Sequence, residues 1–202
     1  MCAAGSMPGD LHKLWRTRDP QSYHVEYGYS CMGYEIAGGM GIKLADPARE
    51  VFVMVGDGSY LMMATEIATM AQEGLKVIIV VLDNHGFASI GALSESVGSG
   101  GFGTEFRERT AAGRLEGERL AIDYAGNAAS LGARVMRART REELDRALGE
   151  ARAHTGGPFC VVVETDRDVH VGNYDSWWDV AVAEVAEDPA VVQARAEYEA
   201  AK

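Results

Sequence analysis

Two apolar runs joined by a segment of helical periodicity form the most regular part of the hydrophobic pattern. Val51 to Val55 is continuously apolar and predicts a buried parallel strand, and Val77 to Leu82 predicts a second one. The segment between them predicts an amphipathic helix that ends at Gly74. Its expected inner face consists of Leu61, Ala64, Ile67, Ala68 and Ala71. A strand, a helix and a strand of this length form a βαβ unit, so the two strands are expected to be parallel.

The same alternation recurs along the chain. Further helices are predicted at Glu35 to Leu44, Arg119 to Leu131 and Arg141 to Ala153, and further strands at Ala133 to Met136 and Pro158 to Glu164. Strands that alternate with helices indicate an α/β fold, a doubly wound parallel sheet with helices on both faces. We expect residues 1–202 to form a single domain.

Three glycines, Gly38, Gly39 and Gly41, lie inside the helix predicted at Glu35 to Leu44. Glycine weakens a helix, so another element is expected to pack closely against this one. A dinucleotide-binding fingerprint is excluded, because no strand precedes these glycines and they do not form GxGxxG.

Composition limits the possible functions. The net charge of −11 argues against nucleic-acid binding. Three scattered cysteines are too few for a disulfide framework or a zinc site. No apolar run reaches transmembrane length and no signal pattern is present, so a cytoplasmic protein without membrane association is expected.

Polar residues follow each strand of the βαβ unit. Asp57 and Ser59 come directly after the first strand, with Gly56 and Gly58 expected to allow a sharp bend, and Asn84 follows the second strand. Parallel strands end at the same edge of a sheet, where α/β folds bind ligands. A carboxylate, an amide oxygen and a nearby backbone carbonyl suit Mg²⁺, and N–H groups where a helix begins attract anions. The alternative is an ordinary turn that the aspartate caps.

The spacing favours the first interpretation. Gly-Asp-Gly, twenty-five residues and then Asn, across strand, helix and strand, resembles the signature of thiamine diphosphate enzymes. The resemblance implies that thiamine diphosphate and Mg²⁺ are bound here, with Asp57, Asn84 and the carbonyl of Gly86 as metal ligands. It further implies that the cofactor is contacted by Gly56, Gly58, Ser59 and Phe87.

Two other residues acquire expected roles from the resemblance, and a third, His85, acquires one from its position beside the inferred site. Met32 would wedge between the two cofactor rings, or alternatively fill the core, and the carbonyl of Ser30 would accept a hydrogen bond from the aminopyrimidine ring. His85 is the candidate catalytic residue, able to donate to phosphate or to carry a proton. A solvent-exposed loop histidine is an equal alternative. The glycine-rich segment Ser94 to Gly103 is expected to be a mobile loop that closes over the substrate.

Longer stretches are similar to one branch of the family, the ring-opening hydrolases of inositol catabolism. These stretches are EYGYSCMGYEIAGG, DNHGFASIGALSESVGSGGFGTEFR and DSWWDVAVAEV. The branch implies cleavage of the carbon–carbon bond between the carbonyls of a cyclic 1,2-diketone. Two alternatives stay open: the same domain of a carboligase or decarboxylase related to acetolactate synthase, and a non-catalytic module that binds diphosphate or serves assembly.

The family also implies a partner. A glutamate on a pyrimidine-binding domain of a neighbouring subunit activates the cofactor, and no glutamate of this chain is assigned that role. We therefore expect a homo-oligomer, a dimer or tetramer, and a chain that is either a fragment or the product of a split gene. The tail, 165–202, carries Trp177 and Trp178 and is expected to pack on the domain or on a partner.

Overall fold

A computed structural model describes residues 1–169, 171–172 and 179–202, which form two compact units. Unit 1 comprises Met1–Gly86 and Ala121–Arg167, and unit 2 comprises Phe87–Leu120 and Asp168–Lys202. The helices are α1 (Ser6–Leu14), α2 (Tyr34–Ala45), α3 (Asp57–Met62), α4 (Glu66–Gln72), α5 (Ala88–Ser96), α6 (Tyr124–Ser130), α7 (Arg141–Ala153) and α8 (Pro189–Ala201). The strands are β1 (Phe52–Gly56), β2 (Ile78–Asp83), β3 (Arg134–Ala138) and β4 (Phe159–Glu164). The expectation of a single domain stays a prediction.

The four strands form one parallel sheet in unit 1, in the order β1-β2-β4-β3. In register, Gly56 at the end of β1 pairs with Leu82 near the end of β2. Both strands therefore deliver their following residues to one edge. The predicted parallel α/β sheet is confirmed, and each predicted strand is present within a few residues of its expected ends.

Alternate side chains of the strands fill two separate cores, one on each face of the sheet. Val53, Val55 and Ile79 pack with residues of α2, α3, α4 and α6 on one face. Ile78 and Phe159 pack with α7 on the other. Val and Ile dominate the central strands β2 and β4 because these strands are covered on both faces, whereas the edge strand β3 carries exposed Arg134 and Arg137.

The connection between β1 and β2 differs from its prediction. Two short helices, α3 and α4, replace the single helix, and Leu61 is 45% exposed. Ala68 is also exposed, whereas Ile67 is buried. The break at Met63 to Thr65 rotates the second helix, so one continuous helical period does not describe the buried face. Gly74 ends α4 as expected, with φ of 63° and with the N–H of Leu75 donating to the carbonyl of Met70.

Gly39 of α2 packs closely against another element, as predicted, whereas the nearest atoms to Gly38 belong to its own helix and Gly41 has open space. A Cβ added at Gly39 would lie 2.1 Å from Cγ2 of Val53, and one added at Gly38 would lie 2.7 Å from the ring of Tyr34. Nothing lies within 4 Å of the corresponding position at Gly41. Gly39 therefore allows α2 to pack against β1, and Gly38 leaves room for the ring of Tyr34 from the first turn of the same helix.

Unit 2 contains two helices that the sequence pattern did not indicate. α5 covers the first residues of the predicted glycine-rich loop, and α8 begins after Asp188, whose side chain accepts from the N–H of Ala190. The helix predicted from Arg119 begins only at Tyr124 in unit 1. Trp177 and Trp178 lie outside the described residues. None of the helices in the described ranges has the length and apolar character needed to cross a bilayer.

Candidate cofactor-binding site

Asp57 lies where β1 ends and α3 begins, and its side chain is completely buried. Its Oδ2 accepts a hydrogen bond of 2.8 Å from the N–H of Gly86, which follows β2. The turn at Asp57 and the turn after β2 are thus tied together at the carboxyl edge of the sheet. This arrangement is the one that the βαβ unit predicts.

The side-chain amide of Asn84 meets the same two groups. Its terminal atom lies 2.9 Å from the carbonyl oxygen of Gly86 and 3.1 Å from Oδ1 of Asp57. With nitrogen at this position, the amide donates to both oxygens. With oxygen at this position, three oxygens converge. Neighbouring ligands around an octahedral Mg²⁺, at its usual metal–oxygen distance, are separated by roughly 2.9 Å, so the spacing suits a small cation.

Burial and a neighbouring carboxylate determine the electrostatics of Asp57. Burial, followed by the negative charge of Asp83, raises the pKa of Asp57 to about 7, although the N–H groups of Gly58 and Gly86 favour its charged form. A cation beside these carboxylates would reverse the effect. Within the described ranges, no three His, Cys, Asp or Glu side chains gather as a metal-binding group, so the mixed oxygen set is the candidate.

The raised pKa predicts how the stability of the metal-free chain depends on pH. The unfolded chain releases the Asp57 proton near 3.8 and the folded chain near 7, so this group stabilises the fold most below about pH 4, and its contribution declines until about pH 7. Asp57→Asn removes the decline. In denaturant unfolding with a chelator, the advantage of the variant over the natural chain should grow by about 2–3 kcal/mol between about pH 5 and pH 8. A difference in unfolding free energy between the two chains that stays the same from about pH 5 to pH 8 would contradict the raised pKa of Asp57.

His85 lies between Asn84 and Gly86 in a left-handed conformation, with φ of 65°. Its Nδ1 lies 3.4 Å from Oδ1 of Asp83, the last residue of β2. The backbone N–H of His85 donates to the same oxygen at 3.2 Å. Asp83 therefore orients the imidazole ring from the side of Nδ1. The role of His85 toward a phosphate or a proton stays a prediction.

Tyr124 is a residue beside Asp57 that sequence reasoning missed, because it lies in the helix predicted from Arg119 to Leu131, for which no role at the site was expected. Its buried hydroxyl lies 3.4 Å from Oδ2 of Asp57 and donates to it. Its ring meets that of Tyr60 edge-on, and the hydroxyl of Tyr60 donates to Asn127 at 2.7 Å. A buried tyrosine usually needs a hydrogen-bond partner, and this was the available signal.

The segment that carries Ser30 and Met32 precedes α2. Ser30 has φ of 53°, and the carboxylate of Glu26 accepts from the N–H groups of Tyr29 and Cys31 on either side of it. Met32 is half-buried. Gly33, with φ of 91°, approaches Met63 so closely that an added Cβ would lie 3.0 Å from its Cγ. The segment therefore adjoins the end of α3, although the roles of Ser30 and Met32 toward cofactor rings remain predictions.

The glycines of the turn act differently from their prediction. Gly56 has an ordinary extended conformation, with φ of −73°, and Gly58 is within α3, so neither uses the freedom of glycine to bend the chain. A Cβ added at Gly56 would meet nothing within 4 Å. The open space at Gly56 suits a ligand that approaches the backbone. Ser59 is buried in unit 1, whereas Phe87 begins unit 2, where its ring meets Phe106 edge-on.

A comparison with protein-family models matches residues 3–163 to the C-terminal TPP binding domain of thiamine pyrophosphate enzymes. The chain belongs to this family. The matched region covers all of the parallel sheet except the last residue of β4, and it includes Asp57, Asn84 and Gly86 at the carboxyl edge. The chain is therefore a thiamine pyrophosphate-binding domain, as the Gly-Asp-Gly to Asn spacing predicts.

Curated relatives are similar over nearly the full chain. Trihydroxycyclohexane-1,2-dione hydrolase 2 of a Bacillus cereus strain is 46% identical over 190 residues, which are 94% of this chain and 29% of the relative. Trihydroxycyclohexane-1,2-dione hydrolase of a Bacillus anthracis strain is 45% identical over 190 residues, which are again 94% of this chain and 29% of the relative. The thiamine pyrophosphate-binding chain thus spans less than a third of the length of these relatives.

Solved structures show the same fold. A candidate thiamin diphosphate-dependent enzyme from Mycobacterium smegmatis superposes with a TM-score of 0.60 and 25% identity, over 82% of this chain and 28% of that chain. The 4-hydroxybenzoylformate decarboxylase of Rhodococcus jostii superposes with a TM-score of 0.57 and 24% identity, over 70% and 25%. The second likeness is evidence for the fold alone.

Proposed function

We propose that this chain is the diphosphate- and magnesium-binding domain of a hydrolase that opens a cyclic 1,2-diketone in inositol catabolism. The observation that carries the proposal is the convergence of Asp57, Asn84 and the Gly86 carbonyl, within a chain 46% identical to trihydroxycyclohexane-1,2-dione hydrolase 2 of Bacillus cereus. The cytoplasm is the proposed location.

The proposed metal ligands fit Mg²⁺ for a physical reason. Asp57 supplies one negative oxygen, and Asn84 and Gly86 supply two neutral ones. Mg²⁺ usually takes one or two carboxylates and completes its shell with water and phosphate oxygens. The cation would also keep Asp57 ionised against its burial, since a neighbouring positive charge lowers the pKa of a carboxyl.

The bound thiamine diphosphate would supply a carbanion-stabilising ring, which is the chemistry needed to break a bond between two carbonyl carbons. The residues of this chain position that ring. Asp57 and Asn84 would hold the diphosphate through the metal, and the segment at Ser30 and Met32 would contact the cofactor rings. Asp83 keeps His85 oriented beside the metal ligands, where it can donate to a phosphate oxygen or carry a proton.

The proposed partner is the pyrimidine-binding domain of a neighbouring copy in a homo-oligomer. Support comes from large apolar side chains that stay exposed on the two segments adjoining the site, at Tyr27, Tyr29, Tyr34, Leu61, Met62 and Met63. Tyr29 is 92% exposed. Clusters of exposed apolar side chains are typical of protein–protein contacts.

A substitution at Gly56 should separate cofactor binding from stability. In Gly56→Ala, the new methyl group meets no atom of the chain but occupies the space proposed for the diphosphate. We expect thiamine diphosphate affinity with Mg²⁺ to fall about tenfold or more, with a melting temperature within about 2 °C of the natural chain. Gly149→Ala is the matched control, because it also adds a methyl group in open space, on α7, and should leave affinity unchanged.

The activity itself is tested by supplying the rest of the enzyme. The chain alone, with thiamine diphosphate and Mg²⁺, is expected to bind the cofactor weakly and to show no turnover. The chain joined to the remaining polypeptide of the Bacillus cereus relative should open trihydroxycyclohexane-1,2-dione and should not convert pyruvate to acetolactate. Turnover of pyruvate instead would favour a carboligase, and ring opening by the chain alone would contradict the need for a partner domain.

A further inference from the structure

Two tyrosine hydroxyl groups join α3 and α6 by a reciprocal pair of hydrogen bonds. Tyr124 of α6 donates to Oδ2 of Asp57, the first residue of α3, at 3.4 Å. Tyr60 of α3 donates to Oδ1 of Asn127 of α6 at 2.7 Å. Within each helix the donor and the acceptor are three residues apart, so they lie on one face of that helix. The two helices therefore present matching donor and acceptor groups to each other.

The rings that carry these hydroxyl groups are packed in the core. Tyr60 is fully buried and Tyr124 is 2% exposed. Their centroids lie 5.8 Å apart with the ring planes at 84°, the edge-to-face arrangement that aromatic pairs favour. The position of the Tyr124 hydroxyl is thus set by the packing of its ring. This accounts for its separation of 3.4 Å from Asp57, which is long for a hydroxyl and a carboxylate.

The two oxygens of the Asp57 carboxylate have different neighbours. Oδ2 accepts from the N–H of Gly86 at 2.8 Å and is also the oxygen that Tyr124 approaches. Oδ1 is the oxygen that lies 3.1 Å from the side-chain amide of Asn84. Both of these donors are therefore on Oδ2, and Oδ1 faces the side chain proposed as the second metal ligand.

We propose that Tyr124 is a positioning residue for the proposed magnesium site. Its hydroxyl and the N–H of Gly86 together hold Oδ2, which directs Oδ1 of Asp57 toward the cation. The torsion that turns a carboxylate has broad minima, so a carboxylate that loses one of two donors can rotate and move Oδ1 relative to Asn84. Groups that orient a metal ligand typically change metal affinity by about 10–100-fold when they are removed. This inference rests on the proposed binding of Mg²⁺ at Asp57.

The test compares Tyr124→Phe with Tyr60→Phe. Each variant loses one hydroxyl of the reciprocal pair and keeps its ring, but the acceptor of Tyr60 is Asn127, which is not a proposed ligand. At a fixed thiamine diphosphate concentration, titration with Mg²⁺ gives the metal concentration for half-maximal cofactor binding. Tyr124→Phe should raise this concentration about tenfold or more, and Tyr60→Phe should leave it within about twofold. In thermal unfolding with a chelator, the melting temperature of each variant should fall by no more than about 4 °C.

A second measurement reports the geometry around the metal. With Mn²⁺ as the probe in place of Mg²⁺, the electron paramagnetic resonance spectrum of the metal bound with thiamine diphosphate should change in Tyr124→Phe. The spectrum of Tyr60→Phe should match that of the natural chain. Loss of helix packing alone would alter both variants or neither.

Four results would overturn the inference: an unchanged Mg²⁺ requirement in Tyr124→Phe, an equal rise in both variants, an unchanged Mn²⁺ spectrum in Tyr124→Phe, or a Tyr124→Phe chain that does not fold. In the last case the hydroxyl would serve the fold and not the metal site. A natural chain that binds no thiamine diphosphate with Mg²⁺ would instead overturn the proposed function, and this inference with it.

Discussion

Asp57→Asn is expected to abolish magnesium-dependent binding of thiamine diphosphate while leaving the fold at least as stable. Asp57 supplies the only carboxylate among the three converging oxygens, and an amide of the same size can still accept from the N–H of Gly86. Affinity with Mg²⁺ should fall more than about 100-fold, because even residues behind a metal ligand typically cost 10–100-fold. The fold should not suffer at about pH 8, because the variant removes a buried charge.

Asp123→Asn is the matched control for this variant. Asp123 belongs to the same unit, is exposed, and accepts from the N–H of Gly126 at the start of α6, a role that asparagine also fills. Its affinity for thiamine diphosphate should equal that of the natural chain. Calorimetric titration of both variants with and without Mg²⁺ measures the effect. An Asp57→Asn chain that still shows magnesium-dependent affinity would exclude Asp57 as a ligand.

Gly39→Ala is expected to destabilise unit 1 strongly, although the change adds a single methyl group to a helix. The new Cβ would lie 2.1 Å from Cγ2 of Val53, a fully buried residue of β1. Either α2 moves away from the sheet or Val53 changes its rotamer, and overpacking of this kind typically costs about 1–3 kcal/mol. Denaturant unfolding followed by circular dichroism measures the change in the free energy of unfolding.

Gly41→Ala, two residues along the same helix, provides the opposite expectation. Its Cβ would meet nothing within 4 Å, so the higher helix propensity of alanine should stabilise the chain by about 0.5–1 kcal/mol. Helix propensity predicts the same gain at both positions. Two variants of equal stability would therefore show that α2 does not pack on Val53 as closely as the structure indicates.

The meeting of Asp57 and Asn84 at one edge of the sheet could be predicted because it depends on local rules. Apolar runs define β1 and β2, and a βαβ connection of this length makes them parallel neighbours, so Asp57 and Asn84 must emerge together. The same reasoning explains the glycines at 38 and 39, since a helix rarely retains glycine without a packing reason. The family resemblance added the identity of the ligand, which periodicity alone does not specify.

The contacts that the sequence did not indicate depend on tertiary structure. Tyr124 reaches Asp57 from a helix sixty-seven residues away, and no spacing rule connects the two positions. The break between α3 and α4 at Met63 interrupts an otherwise regular apolar pattern, and Gly33 packs against that residue. The burial of Glu35 is likewise a result of packing. The sequence did not indicate it, because a glutamate near the start of a helix is ordinarily expected to be exposed and stabilised by the helix dipole.

Isothermal titration calorimetry tests the proposed metal site most directly. Thiamine diphosphate is titrated into the natural chain, once with Mg²⁺ and once with a chelator. Saturable binding that requires the metal is predicted, since Asp57, Asn84 and Gly86 would reach the diphosphate only through a cation. Binding of equal strength in the chelator, or no binding under either condition, would contradict the metal site on which the proposed function depends.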